Sequence, residues 1–73
     1  MPLIDIQVLE DVFSAEEKAA MIEKVTDAFA EVAGGRMKAA TSVRIHEVKS
    51  GSWGYGGKPL RTEDAKEMRR DNG

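Results

Sequence analysis

The sequence predicts an α/β fold, a β-α-β protomer with a short C-terminal hairpin that assembles into an oligomer. An alternating apolar segment opens the chain, a long amphipathic segment follows, and a second alternating segment comes after it. A glycine-rich stretch with two aromatic residues then indicates a tight turn or hairpin. The 73 residues are predicted to form one domain, with a core over residues 2–60 and a polar tail over residues 61–73.

The first strand is predicted over residues 3–9, which read Leu-Ile-Asp-Ile-Gln-Val-Leu. Successive side chains of a strand point to opposite faces, so Ile4, Ile6 and Val8 share one face. These three residues are all β-branched, and β-branched residues are enriched in strands. The segment is therefore typical of a strand with one strongly apolar face.

The helix is predicted to begin after Ser14, because Ser14-Ala-Glu-Glu17 has the pattern of a capping box. Apolar residues then recur at helical spacing, and Gly34-Gly35 ends the pattern as a C-terminal cap. The helix is expected to span about 20 residues, or about 30 Å. Its apolar stripe consists of Ile22, Val25, Phe29 and Val32, widened by Met21 and Ala28.

The second strand is predicted over residues 41–48, after a connection at residues 36–40. Two strands joined by one long helix are expected to be parallel, with a right-handed crossover. The later stretch 51–57 is the predicted hairpin, and 63–70 is predicted to be a short helix or a frayed segment. The second strand has two faces, with Val43 and Ile45 on one and Arg44, His46 and Val48 on the other.

Composition limits how so short a chain can be stabilised. There is no cysteine, which excludes disulfides, and the single histidine, His46, excludes a multi-histidine zinc site within one chain. One helix covers only one face of a sheet, so the other face needs a partner. The side formed by Leu3, Leu9 and Val48 is therefore expected to contact another subunit.

Charge and hydropathy exclude several classes of partner. The net charge is −2 with acids and bases interspersed, which gives no basic surface for nucleic acid. No apolar run approaches the roughly 20 residues that a membrane span needs. The start of the chain lacks the pattern of a signal peptide, so we expect a cytoplasmic protein without membrane or nucleic-acid partners.

Pro2 is the first candidate catalytic residue. If Met1 is removed, the proline nitrogen becomes a free secondary amine, whose pKa is ordinarily about 8. An apolar pocket and a nearby arginine would both lower that pKa towards neutrality, where a general base works best. The alternative is a chance occurrence, since proline makes up about 5% of residues.

Arg44 and Trp53 are the next candidates. The planar guanidinium of Arg44 can bind a carboxylate or an enolate-like oxygen. The alternative, favoured by spacing alone, is an ion pair with Glu47 or with an acid on a neighbouring strand. The glycines around Trp53 allow close approach to a ligand, and its indole can wall off a pocket. The alternative, which the sequence favours equally, is that Trp53 is a packing residue of the hairpin.

Other charged residues are predicted to be structural. His46 is interpreted as a structural or surface histidine of the strand. The basic residues of the tail alternate with acids, which is typical of a solvated face. These tail residues are Arg61, Lys66, Arg69 and Arg70.

Between residue 2 and about residue 60, the chain resembles the 4-oxalocrotonate tautomerase family. Each motif is weak by itself, whereas the combination is fairly specific. The motifs are the Met-Pro start on an apolar strand, Leu9-Glu10, Ser14-Ala-Glu-Glu-Lys18, Thr41-Ser-Val-Arg44-Ile and Gly51-Ser-Trp-Gly-Tyr-Gly-Gly57.

The resemblance implies an isomerase that needs no cofactor or metal. It implies a homo-oligomer, usually a hexamer built as a trimer of dimers, with sites shared between subunits. By this resemblance, Pro2 is the base that moves a proton within an unsaturated 2-oxo acid, a small-molecule carboxylate. Arg44 would hold the 2-oxo and carboxylate end, Trp53 would keep the site apolar, and Leu9 would offer a backbone contact.

The connection before the helix departs from the family pattern. Many members carry a second arginine there for the far carboxylate of the substrate, whereas residues 10–14 here contain none. Val12 and Phe13 instead favour a monocarboxylate with an apolar tail, such as an aryl or alkyl enolpyruvate. Arg36 or Arg61 of a neighbouring subunit could substitute for the absent arginine.

Two other functions stay open. If the amine of Pro2 kept a high pKa it could act as an acid, as in family dehalogenases, hydratases and decarboxylases. Alternatively, the chain could be a non-catalytic or partner-dependent subunit of a mixed hexamer, in which a different chain supplies the arginine.

Overall fold

A computed structural model describes residues 1–71, and the last two residues of the predicted tail, Asn72 and Gly73, lie outside the described residues. The predicted β-α-β fold with a C-terminal hairpin is confirmed, and a second helix follows the hairpin. The elements are β1 (Leu3–Leu9), α1 (Ala15–Ala33), a 3₁₀ helix (Gly35–Ala40), β2 (Ser42–Val48), β3 (Trp53–Tyr55), β4 (Lys58–Leu60) and α2 (Thr62–Asp71).

The strands form two separate two-stranded sheets, β1 with β2 and β3 with β4. Ser42 N donates to Pro2 O at 2.9 Å, and Glu10 N donates to Val48 O at 2.8 Å. The first bond joins the start of β1 to the start of β2, and the second joins their ends. The two strands therefore run parallel. The residues group into two compact units, one of Met1–Ile6 with Ser14–His46, the other of Gln7–Phe13 with the chain from Glu47 onward.

In the first unit, α1 begins and ends as the sequence predicts. Ser14 Oγ accepts from Glu17 N at 3.1 Å, and Ser14 N donates to Glu17 Oε1 at 2.8 Å. This reciprocal pair is a capping box, which satisfies two main-chain donors at the start of the helix. At the other end, Gly34 has a φ of 107° and its amide donates to Ala30 O at 2.8 Å.

The apolar stripe of α1 is shorter than the sequence predicts. Val32 is 92% exposed and Ile22 38%, whereas Ala30 is buried. A helix of 19 residues is about 28 Å long, but a strand of seven residues reaches only about 23 Å. Strands of that length cannot cover an apolar stripe that runs along the whole helix. The C-terminal end of the stripe, at Val32, therefore stays exposed to solvent.

The connection before β2 is a 3₁₀ helix rather than an irregular segment. Its first turn is closed by Met37 N, which donates to Gly34 O at 3.0 Å. Lys38 Nζ lies 2.7 Å from Asp27 Oδ1, which ties the segment to α1. Thr41 Oγ1 donates to Met37 O at 2.8 Å and marks the exit towards β2.

In the second unit, the predicted glycine-rich hairpin is confirmed. β3 and β4 pair antiparallel, with Trp53 opposite Leu60. The connecting Gly56 and Gly57 have φ angles of 53° and 85°, as a two-residue turn with two left-handed positions requires. A Cβ on Gly54 would lie 3.0 Å from the carbonyl oxygen of Lys58, so the strands can approach this closely only at glycine.

The described part of the predicted tail is a helix fixed to the end of β1. Thr62 is buried, its Oγ1 donates to Glu10 O at 2.8 Å, and its amide donates to Ser50 Oγ at 2.9 Å. Ser50 N in turn donates to Glu10 Oε2 at 2.8 Å. Asp64 Oδ2 accepts from Arg61 N at 3.0 Å and caps the start of α2.

The residues expected to contact another subunit differ in exposure. Leu9 is buried within the chain and Val48 is half-buried, whereas Leu3 is 51% exposed. Leu9 is thus covered by other residues of its own chain. Among the described residues, no helix has the length and apolar character that crossing a membrane requires.

Candidate active site

Pro2 is a half-buried residue at the start of β1, and its carbonyl is engaged by β2. Met1 precedes it with 88% of its surface exposed, and the Met1 ammonium donates to Ala40 O at 2.6 Å. While Met1 is attached, the proline nitrogen is an amide and cannot take up a proton. The basicity of this position therefore depends on the removal of one exposed residue.

In the same unit, Arg44 forms a two-point ion pair with Asp5 of the neighbouring strand. Arg44 Nε lies 2.9 Å from Asp5 Oδ1, and Nη2 lies 3.2 Å from Oδ2. His46 Nε2 lies 3.5 Å from Asp5 Oδ1. This is the ion pair with an acid on a neighbouring strand, one of the two pairings expected if Arg44 is structural.

This ion pair changes the proton affinity of both partners. The hydrogen bond from Arg44 lowers the pKa of Asp5 below its usual 3.8, and the charges of Arg44 and His46 act in the same direction. The bond to Asp5 likewise raises the pKa of Arg44. Both side chains are about half exposed, so solvent screens the pair and a competing anion can reach the guanidinium.

The second unit contains an apolar cleft of about 470 Å³. Its walls come from the end of β1, the loop after it, the hairpin and α2. The predicted residues Leu9 and Trp53 both line it, together with the aromatic rings of Phe13 and Tyr55. Trp53 is thus both a packing residue of the hairpin and a wall of the cleft.

Arg69 is the one charged residue among those that line this cleft in the described part of the chain. Its Nη1 donates to Val12 O at 3.0 Å, and its Cζ lies 4.8 Å from the centre of the Phe13 ring. Arg69 is exposed, as a residue of a solvated face should be, and it also contacts the loop after β1.

A sequence signal for this contact exists. Ala65, Met68 and Arg69 all line the cleft, and their spacing of three and four residues is that of one helix face. The structure therefore adds these three residues of α2 to the predicted Leu9 and Trp53. Within residues 1–71, no three His, Asp or Glu side chains come together as a metal site would require.

Comparison with known proteins identifies the fold and the chemistry it carries. A family model described as "Tautomerase enzyme" matches residues 2–63 of the chain. The chain belongs to the tautomerase family. The family resemblance predicted from the sequence is confirmed, and the protein is a tautomerase-type isomerase. The match ends near the start of α2, so Arg69 lies beyond it.

Two relatives agree with this assignment. The chain is 36% identical over 60 residues to "Probable tautomerase K2" of Dickeya dadantii (strain 3937), covering 82% of this chain and 88% of the relative. The crystal structure of DmpI from Helicobacter pylori superposes with a TM-score of 0.71 at 33% sequence identity. That comparison covers 81% of this chain and 95% of DmpI.

Proposed function

We propose that this member of the tautomerase family catalyses keto-enol tautomerisation, or 1,3- or 1,5-proton transfer, on an unsaturated 2-oxo or 2-hydroxy acid. The family match that begins at Pro2 carries the proposal. Pro2 is the general base after removal of Met1, whose exposed position makes it accessible to an aminopeptidase. The reaction uses no cofactor, and we place the protein in the cytoplasm.

In the proposed reaction, the amine of Pro2 accepts the proton of the 2-hydroxyl group. The O–H bond breaks, the C2–O bond becomes a carbonyl, and the shifted electron pair forms a C–H bond at carbon 3 or 5. Pro2 returns the proton to that carbon, so atoms and charge balance. Half-burial of Pro2 supports this role, because desolvation disfavours the charged form of an amine.

Arg44 is proposed to hold the carboxylate and to stabilise the negative charge that develops on the 2-oxo oxygen. Its ion pair with Asp5 keeps the guanidinium charged and oriented. Since both partners are about half exposed, a substrate carboxylate can replace Asp5 at little cost.

The apolar cleft lined by Leu9 and Trp53 is proposed to bind the apolar part of the substrate. Small-molecule sites are typically apolar with a few polar groups that fix orientation, and this cleft has that character. We further propose that the chain works as a homo-oligomer, a hexamer arranged as a trimer of dimers, whose sites are shared between subunits.

The test is the ketonisation of phenylenolpyruvate, followed by its ultraviolet absorbance. Replacing Pro2→Gly is expected to lower kcat by about 10²-fold, within the range that general-base catalysis contributes. Arg44→Ala is expected to raise KM by about tenfold, since a charged hydrogen bond to the carboxylate is lost.

Lys38→Ala is the matched control, because Lys38 is an exposed cation of the same unit that also pairs with an acid, Asp27. It should leave kcat and KM unchanged. Normal turnover by the Pro2→Gly or the Arg44→Ala protein would refute the proposed function.

A further inference from the structure

We propose that His46 is a positioning residue, which takes over the carboxylate of Asp5 when the carboxylate of a ligand binds Arg44. This inference rests on the proposed function in one respect, the role of Arg44 as the anchor of the substrate carboxylate. It adds a second event to that binding, in which Asp5 changes its partner from Arg44 to His46. All three residues belong to the same compact unit.

The carboxylate of Asp5 lies between two side chains that can carry a positive charge. Its Oδ1 is 2.9 Å from Arg44 Nε and 3.5 Å from His46 Nε2, so the two side chains share one oxygen. Arg44 makes a second contact, from Nη2 to Oδ2 at 3.2 Å. Asp5 is therefore held mainly by Arg44, and His46 is a second partner within ion-pair distance.

Strand geometry keeps the three side chains together on one exposed face. Arg44 and His46 are two residues apart on β2, and successive residues of a strand alternate between its faces. Arg44, His46 and Asp5 are exposed, whereas Val43 and Ile45 on the opposite face of β2 are half-buried. A carboxylate from solvent can therefore reach the guanidinium, and Asp5 can exchange partners without entering the core.

A ligand carboxylate on Arg44 would leave Asp5 beside a second negative charge. Like charges at short distance repel, and a carboxylate that loses its cation is stabilised by another one nearby. Histidine changes its charge between pH 5 and pH 8, so His46 can supply that cation by taking up a proton. Binding of the ligand and protonation of His46 are therefore expected to favour each other.

Few groups near His46 change their charge in this range of pH. The charged residues on its face are Asp5 from β1 and Arg44 from β2, and the hydrogen bond between them lowers the pKa of Asp5 below 3.8. Glu47 follows His46 and lies on the opposite face of β2. The amine of Pro2, at the start of β1, also takes up a proton once Met1 is removed. The contribution of His46 is therefore the part of the pH effect that His46→Gln removes.

The experiment measures the affinity for 2-oxohexanoate, a monocarboxylate with an apolar tail, by calorimetric titration at about pH 8 and about pH 5.5, which span the range in which histidine titrates. We expect the unaltered protein to bind about threefold more tightly at the lower pH, the size of effect typical of one exposed ion pair. His46→Gln should keep the affinity at the higher pH and lose this gain.

Asp5→Asn tests the other partner of the exchange. Asparagine keeps an oxygen that accepts from Arg44 Nε but removes the competing charge. We therefore expect about threefold tighter binding at the higher pH, with little further gain on acidification. Asp27→Asn is the matched control, because Asp27 is a half-exposed acid of the same unit that pairs with Lys38. It should leave both affinities unchanged.

A gain on acidification that persists in His46→Gln would overturn the inference, because another group would then take up the proton. An equal gain in Asp5→Asn would also overturn it, since His46 would then attract the ligand directly. Weaker binding by Asp5→Asn at the higher pH would mean that Asp5 only orients Arg44, and absence of binding by the unaltered protein would remove the effect altogether. Either result would contradict the exchange.

The proposed function and this inference fail in different measurements. Undiminished affinity of the Arg44→Met protein for 2-oxohexanoate would refute the anchor role that both share. Full activity of the Pro2→Gly protein would refute the proposed function alone, because the titrations measure binding without turnover and stay readable.

Discussion

Arg44 and Asp5 lie side by side on neighbouring strands and form a two-point ion pair. Two N–H groups of the guanidinium face the two carboxylate oxygens, at 2.9 and 3.2 Å. A half-exposed ion pair contributes little to folding, so its main effect is to orient the guanidinium. Under the proposed function, we expect a substrate carboxylate to displace Asp5 from the guanidinium.

The titration of Asp5 tests this pairing. We expect its pKa to lie below 3.8 and to return towards 3.8 in the Arg44→Met protein, because the main cause of the lowered value is the hydrogen bond from Arg44. A lowered carboxyl pKa means that the stabilisation is present above the unfolded pKa and is lost as pH falls through the folded pKa. Carbon-detected NMR of the side-chain carboxyl measures it. An Asp5 pKa that does not respond to Arg44→Met would contradict the pairing, and Lys38→Met serves as the control.

The pH dependence of turnover distinguishes a base from an acid at Pro2. A base acts only when deprotonated, so kcat/KM for phenylenolpyruvate should rise with pH and level off above the pKa of the amine. A dehalogenase- or hydratase-type role needs the protonated amine and predicts a decrease over the same range. A profile that falls as Pro2 loses its proton would therefore exclude the general-base mechanism.

Among the single elements, β1, α1 and the hairpin can each be predicted from signals that are local in the sequence. The capping box spans four residues, strand alternation has a period of two, and the hairpin turn needs only two adjacent glycines. Leu9 and Trp53, which both line the cleft, are predicted as site residues by the family resemblance, and Trp53 also by its flanking glycines.

Signals that are local in the sequence do not predict the contacts of α2. Thr62 bonds to Glu10 across 52 positions, and Arg69 bonds to Val12 across 57 positions. Thr62 lies in no local pattern that indicates its partner. The spacing of Ala65, Met68 and Arg69 indicates a shared helix face but not which residues that face contacts. The prediction that Val32 belongs to a buried stripe is wrong for a related reason. Helical spacing defines a face of the helix, but not how far other residues cover that face along its length.

Thr62→Val tests whether α2 is held as described. The substitution keeps the volume but removes the donor to the carbonyl of Glu10, at a buried position. We expect a loss of about 1 to 3 kcal/mol in the free energy of unfolding, measured by urea denaturation, because that acceptor is left unsatisfied. Thr26→Val is the control, since Thr26 Oγ1 donates to Ile22 O of its own helix. Equal effects of the two variants would contradict an anchoring role for Thr62.

The molecule as a whole has only a small hydrophobic core. Among the described residues no side chain is fully buried, and the residues with least exposure are Leu9, Val12, Ala30 and Thr62. Leu3 is 51% exposed on β1. Chains of this size commonly need association to become stable, since a single small core supplies little free energy.

Native mass spectrometry tests the proposed assembly. We expect one subunit type and a hexamer, and Leu3→Glu should shift the population towards smaller species, because a charge replaces an exposed apolar side chain. Lys24→Glu is a control on the polar face of α1 and should leave the distribution unchanged. Two different subunits in protein purified from its natural source would instead establish the mixed hexamer.

The proposed mechanism requires a free amine at Pro2, and the intact mass of the purified protein reports directly whether Met1 has been removed. We predict a mass lower than that of the full sequence by one methionine residue, with Pro2 as the first residue. A mass that retains Met1 in protein that still ketonises phenylenolpyruvate would contradict the central claim, since an amide nitrogen cannot serve as the base.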